Sequence, residues 1–353
     1  MPEINEDFYI LRKTGIRKCI LTSFYSTLKS NAYISTMILS SENSQFRHLR
    51  IALFVISVLV GSTIAKAQEL EPRALTNIPI GMNFALAGYG FANGNLLFDP
   101  GLPLEDAKAN LHTFVGAYLR SINFFGLSGK VDVIVPYGIG NWTGIYTGID
   151  TATSRSGFGD LRFRLSFNFL GAPALKSAQF SAYKPKEISG FSIQVIAPTG
   201  QYFPERLINL GSNRWAFKPQ WGYLLNYEKW IWETYLSAWL YTKNKDFWGG
   251  NELKLNPLFA LKVHSIRKLP NGMWLAANFG YGIGARGYVN NELKDNRIST
   301  IRLTLVYAVP IGMNHTIRFE GKTGIRFEQG ADFNAFGISY QYRWMKREKA
   351  KEI

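Results

Sequence analysis

The stretch Gly157 to Leu170, GFGDLRFRLSFNFL, alternates with almost no error. Every odd position from 161 to 169 is Leu or Phe, and every even position from 160 to 168 is Asp, Arg, Ser or Asn. A side-chain period of two belongs to a β-strand with one apolar and one polar face. Such a strand sits in one of two ways. In a soluble sandwich the Leu/Phe face points into the core and the arginines into water. In a membrane barrel the apolar face points out to lipid, and Asp160, Arg162 and Arg164 line the inside.

The upstream sequence bears on that choice. Phe46-Arg47-His48-Leu49-Arg50 followed by IALFVISVLVGSTIAKAQEL reads as a secretory signal. Arg47 and Arg50 give a positive start, Ile51 to Val60 an apolar core, and Ala65-Lys66-Ala67 a small-x-small cleavage site. The apolar run is too short for a comfortable membrane-spanning helix; the other reading is a buried N-terminal helix. Met37 would give this signal a conventional start. The expected organisation is therefore an N-terminal extension plus signal peptide over 1–67 (signal about 46–67), a β-barrel over 68–345, and a basic tail over 346–353. Cys19, the chain's single cysteine, lies upstream of the cleavage site, which leaves no disulfide framework and no thiolate metal site in the exported chain.

From residue 78 onward the alternation recurs in twelve segments of about ten residues, among them 127–137, 158–170 and 253–266. No span after the signal has the 18 or so apolar residues of a membrane helix. Connections alternate in length. The gaps at 92–110, 138–157, 199–212, 243–252 and 285–296 are long and polar, whereas 226–229, 268–272 and 310–313 are short; 171–188 breaks the pattern. An even strand count with short turns on one side and long loops on the other is the arrangement of outer-membrane barrels. The aromatic content of 15% suits interfacial girdles. Near the C-terminus, Phe336, Ile338, Tyr340, Tyr342 and Trp344 form an apolar face opposite Ser339, Gln341 and Arg343. The expected fold is all-β, a transmembrane antiparallel barrel of about twelve strands in the bacterial outer membrane. A soluble exported sandwich is the alternative.

Removing 1–67 leaves 32 basic and 21 acidic residues, a charge of about +11. Exported chains do not meet nucleic acid, and no zinc-finger or RNA-binding signature is present, so the excess points to an anionic membrane surface or solute. Assigning polar positions strand by strand gives an expected inner wall. It begins with Lys130, Asp132, Asp160, Arg162, Arg164, Arg214, Lys218 and Glu233. It continues with Lys254, Lys262, Arg302, Arg318, Glu320, Lys322, Arg326, Glu328 and Arg343. One reading is a basic conduit that concentrates anionic solutes. The other is that these charges pair across strands and fill the interior, with Asp160–Arg162 and Arg318–Glu320–Lys322 as the expected pairs. The exported chain's histidines, His112, His264 and His315, lie in no triad-like arrangement, and no metal-ligand spacing occurs, so neither an enzyme nor a cofactor is expected.

Three local patterns carry a resemblance. They are Gly157-Phe158-Gly159-Asp160-Leu161, then Ala197-Pro198-Thr199-Gly200-Gln201-Tyr202, then Asn209-Leu210-Gly211 with Arg214-Trp215 and Lys218-Pro219. In that order they resemble the outer-membrane family named for the meta-pathway (MetA) of phenol degradation, over roughly 80–345. The resemblance implies an outer-membrane transporter passing aromatic or other hydrophobic compounds, without catalytic residues; the basic wall suggests an aromatic carboxylate or phenolate. The alternatives are a structural or adhesive surface barrel, whose loop tips at 142–146 and 247–250 expose aromatics, and an outer-membrane lipid-modifying enzyme. Residues 68–77 could enter the lumen as a short plug. The expected partners are outer-membrane lipid and lipopolysaccharide, periplasmic chaperones and the barrel-assembly machinery, and a small hydrophobic or aromatic solute.

Overall fold

The computed structural model describes residues 71–95, 105–180, 182–328 and 332–345; the expected signal and the basic tail lie outside them. β1 (Met82–Asn95), β2 (Glu105–Phe124) and β3 (Leu127–Tyr146) open the chain. β3 turns at Thr147-Gly148 into β4 (Ile149–Phe158), and β5 (Leu161–Pro173) resumes the wall beneath it. β6 (Glu187–Ala197), β7 (Ala216–Asn226) and β8 (Trp230–Tyr241) follow. Two short strands, β9 (Asn244–Phe247) and β10 (Asn251–Leu255), precede β11 (Leu258–Lys268) and β12 (Trp274–Gly284). Two more, β13 (Gly287–Val289) and β14 (Glu292–Leu293), precede β15 (Ile298–Ile311), β16 (His315–Arg326) and β17 (Asp332–Met345).

Twelve strands, β1–β3, β5–β8, β11, β12 and β15–β17, pair antiparallel in chain order. The ring closes where β17 pairs with β1, from Met82 opposite Met345 to Asn95 opposite Asp332. The fold is a closed antiparallel transmembrane β-barrel of the outer-membrane type. β9, β10, β13 and β14 form a separate four-stranded sheet at the long-loop end. By the rule of short periplasmic turns, that end is the outer one.

The alternation sets which way each strand faces. On β5, Phe163 is 47% exposed while Asn168 is 2% exposed, so the apolar face points to lipid and Arg162, Arg164 and Ser166 point inward. The neighbours agree in register: Asp132 and Gln194 stand either side of Arg164. Phe191, Trp221, Leu236, Phe259, Leu303 and Phe319 continue the outer apolar surface. Turning one of the inward cations to mid-bilayer would cost about 2–4 kcal/mol, which locks the register.

Three segments depart from the sequence expectation. The gap at 138–157 is largely a hairpin: β3 and β4 pair from Tyr137–Phe158 up to Tyr146–Ile149. Thr147 and Gly148 make its turn with positive φ values of 50° and 78°, the twist a tight hairpin requires. Beyond the lipid most of its outward residues are polar, as in the bond from Ser154 Oγ to Asn141 Oδ1 at 2.7 Å, so no continuous apolar face marks it. Segment 253–266 is two strands split before Pro257; its first part, β10, pairs with β9 and β13 outside the barrel. The loop-tip aromatics are also partly hidden: Trp142 is 1% and Phe247 4% exposed.

Candidate functional site

The interior is occupied from both ends. Residues 71–80 precede β1 without joining the sheet and run into the periplasmic half of the lumen. Four wall residues hold them. Glu233 Oε2 accepts the Arg73 backbone N–H at 2.8 Å. Lys130 Nζ donates to the carbonyls of Ala74 at 2.6 Å and Thr76 at 2.8 Å. Asn168 Nδ2 donates to the Leu75 carbonyl at 2.9 Å. Arg164 bridges Glu71 at 2.7 Å and Asp132 at 2.9 Å. Leu75 completes an apolar cluster with Ile188, Leu224, Ile231, Tyr235 and Trp274. Arg73 takes a left-handed φ of 69°, a conformation that costs a non-glycine residue about 1 kcal/mol or more; its bond to Glu233 and its guanidinium 5.8 Å from the Trp274 ring centroid hold it there.

From the outer end, residues 198–215 fold inward as a loop. Asp160, 9% exposed, fastens it. Its oxygens accept from Gly200 N and Ser212 N, both at 2.9 Å, and from Ser212 Oγ at 2.5 Å. Gly159, Gly200 and Gly211 stack so closely that a Cβ on Gly200 would stand 2.7 Å from the Gly159 carbonyl carbon, and one on Gly211 2.7 Å from that of Gly200. Asn209 ties the loop to itself through Phe203 N at 2.8 Å and Phe203 O at 3.0 Å. Leu207, Ile208 and Leu210 pack on Ala92, Ala109, Leu111, Trp142 and Phe333 from the wall. The three sequence patterns thus meet in one latch, although each alone reads only as a turn or a strand end. The partners found for Asp160 are Gly200 and Ser212, where the sequence suggested Arg162.

Plug and loop leave two chambers. The inner one, about 650 Å³, is walled by the plug, Asp132, Arg164, Ser192, Gln220, Tyr235, Arg318 and Arg343. The outer one, about 420 Å³, is walled by Ile196, Leu210, Trp239, Tyr241, Phe247 and Trp248, with Asp160, Arg162, Arg206 and Arg214 among them. A single layer lies between. On β6, Gln194 separates Ser192 of the inner chamber from Ile196 of the outer; on β7, Lys218 separates Gln220 from Ala216; on β8, Ser237 separates Tyr235 from Trp239. Lys218 Nζ lies 4.8 Å from the Trp239 ring centroid, a cation–π contact. Lys262 Nζ donates to Gln220 Oε1 at 3.3 Å. On β15, Arg302 is 8% exposed.

The remaining expected wall residues divide. Glu320 and Lys322 pair at 2.7 Å along β16, and Arg318 Nε donates to Ser339 Oγ at 3.3 Å. Arg343 Nε donates to the Met313 carbonyl at 2.8 Å near the periplasmic rim. Arg326 ends β16 exposed. Glu328 lies past that strand, 3.6 Å from Arg297. Lys254 is outside the wall, on β10, with its Nζ 5.6 Å from the Tyr288 ring centroid. Sequence reasoning missed Gln194, Trp239 and the His264–Asn278 bond of 2.8 Å, because inward amides and aromatics carry no charge to mark them. Among the described residues no group of three or more His, Cys, Asp or Glu is arranged to hold a metal ion.

A comparison with curated protein sequences yields no match. Among solved structures, the chain is similar to the COG4313 outer membrane channel from Pseudomonas putida F1, at 18% identity and a TM-score of 0.65, over 78% of this chain and 100% of that one. Lower TM-scores relate it to the β domain of the Bordetella autotransporter BrkA (0.44, 11% identity, 75% of this chain and 100% of that one). The same holds for the CymD monoaromatic hydrocarbon channel (0.42, 8% identity, 79% of this chain and 92% of that one). At 18% identity the likeness to the Pseudomonas putida channel speaks for the barrel fold alone. The family model described as "Putative MetA-pathway of phenol degradation" matches residues 99–344, most of the chain, and the protein belongs to that family.

Proposed function

We propose that the protein is a passive outer-membrane channel for small hydrophobic or aromatic compounds, delivered to that membrane by the signal at 46–67. The outer chamber carries this reading. Its walls of Ile196, Leu210, Trp239, Tyr241 and Trp248, on the long-loop side of the layer, offer a ring-sized solute an apolar surface, and pockets of a few hundred Å³ suit such ligands. The family description and the channel from Pseudomonas putida F1 support the same reading. A surface barrel without a through-path is the second reading, favoured by the docked plug and its four wall anchors. Uptake of phenol and toluene into liposomes bearing the purified protein separates the two. Uptake well above that of empty liposomes, with arabinose excluded, is expected of the channel. Equal entry into loaded and empty liposomes would leave the surface barrel.

A further inference from the structure

The layer between the chambers has a composition that neither the plug nor the loop explains. Lys218, Lys262 and Arg302 all belong to it, and among the described residues no carboxylate does. Other lumen cations are partnered: Arg164 meets Asp132 and Glu71, Lys322 meets Glu320, and Lys130, Arg318 and Arg343 donate to carbonyl or hydroxyl oxygens. Arg302 is barely partnered. It is 8% exposed, its Nε and Nη1 have no hydrogen-bond partner, and its one contact is a long 3.5 Å bond from Nη2 to Thr300 Oγ1. The residues opposite it on both neighbouring strands are glycines, Gly280 and Gly324. Neither directly opposed residue therefore has a side chain to pair with the guanidinium.

Other polar groups in and beside the layer are also unspent. Both amide atoms of Gln194, the indole N–H of Trp239 and the hydroxyl of Ser237 are buried without a partner. Buried polar groups in native proteins are satisfied with few exceptions, and each exception asks for a reason. A buried cation without an acid is costlier still. Lys262 and Arg302 stand across Gly280 from one another, which places their Cα atoms about 9–10 Å apart by ordinary strand spacing. That separation leaves room for one small anionic group between two positive charges.

We propose that this layer binds the carboxylate head of an organic acid, with Arg302 and Lys262 as the charged contacts and the acid's apolar body held in the outer chamber. The proposal rests on the channel reading and narrows it to a solute class. A carboxylate entering from the outer chamber meets Arg162, Arg206 and Arg214 on the way. It then accepts from the Arg302 donors that the protein itself leaves unspent. A neutral ring of the same size fills the outer chamber and leaves those donors as they were.

The test uses the protein purified from outer membranes, with sodium benzoate and benzyl alcohol as paired probes at neutral pH. Calorimetric titration should show benzoate binding at least about tenfold tighter than benzyl alcohol, the difference one charge-assisted contact makes. Added sodium chloride should weaken benzoate and leave benzyl alcohol unchanged. Arg302→Gln should bring the two probes to equal affinity. Equal affinities in the unmodified protein, or undiminished benzoate preference in Arg302→Gln, would overturn the proposal. If Arg302→Gln fails to give a heat-modifiable barrel, the salt titration on the unmodified protein and Arg302→Lys decide: the preference should survive in the lysine variant, and its loss there with salt-independent benzoate binding would overturn the site. Benzyl alcohol binding and crossing liposomes without any benzoate preference removes the carboxylate site alone. Neither probe binding or crossing removes the channel reading with it.

Discussion

Replacing Lys130 by methionine tests whether the N-terminal segment is a held plug. Lys130 is 7% exposed, and its ammonium donates to the carbonyls of Ala74 at 2.6 Å and Thr76 at 2.8 Å. Methionine keeps the reach of the side chain and removes both bonds. A hydrogen bond to a charged group is worth about 1.5–3 kcal/mol, so the pair contributes about 3–6 kcal/mol before correction. Part of that returns, because no ammonium then has to be desolvated, which leaves a net loss of about 2–4 kcal/mol. At about 1.4 kcal/mol per factor of ten, the undocked population rises roughly 30- to 700-fold. The Arg73–Glu233 and Asn168–Leu75 bonds and the Glu71–Arg164 pair remain, so the plug stays docked most of the time and the assay must read a minor population. A single thiol placed by Ala74→Cys in the exported chain provides it. Its rate of labelling by a water-soluble maleimide should rise at least about 30-fold when Lys130→Met is added. A rise of less than about threefold, in a barrel that remains heat-modifiable, would refute the claim that Lys130 holds the plug.

Asp160→Ala removes the three bonds that fasten Gly200 and Ser212, a local loss of about 2–4 kcal/mol. Amides 200–212 should then exchange with deuterium far faster while β5 keeps its protection; unchanged exchange would mean that the glycine stack alone holds the loop. Phe163→Arg puts a cation on the lipid face and should cost about 2–4 kcal/mol in folding into vesicles, read from urea titrations; no loss would reverse the inside–outside assignment of β5. On the outer sheet, a hydrogen bond from Lys294 at 2.8 Å holds the exposed Glu292 carboxyl below the usual carboxylate range. Being depressed, that group favours the hairpin at neutral pH and loses its contribution as pH falls through its lowered value. An NMR titration should show the midpoint return toward the ordinary range in Lys294→Gln, and an unmoved midpoint would discard the pairing.

The barrel is legible in the sequence because lipid demands an apolar residue at every second wall position, and that demand is written along each strand. It is written only where lipid is. Ser154 and Asn141 lie on a ladder as regular as any below it, yet their outward face meets water and reads as loop. Periodicity is also blind to partner. Leu253 and Leu255 continue the odd-numbered apolar set of Phe259 and Leu261, but they are buried against β9 and β13, and Pro257 was the one signal that the strand ends. The latch was hidden for a different reason. Asp160 and Arg162 share a face two residues apart, roughly 6–7 Å along a strand, while the bonds Asp160 makes are to backbone amides 40 and 52 positions later. Main-chain donors leave no mark in a sequence, and neither do the carbonyls by which the plug is held.

The way the plug is gripped bears on how this lumen changes over generations. Lys130, Asn168 and Glu233 take hold of peptide groups at Arg73, Ala74, Leu75 and Thr76 rather than of their side chains. Such a grip tolerates replacements at several positions of the segment it holds; Glu71 on Arg164, Arg73 on Trp274 and Leu75 in its apolar seat are excepted. Drift there can restyle the chemistry of the inner chamber one substitution at a time while closure persists. The barrel is thus free to be retuned to a new solute without first being left ajar.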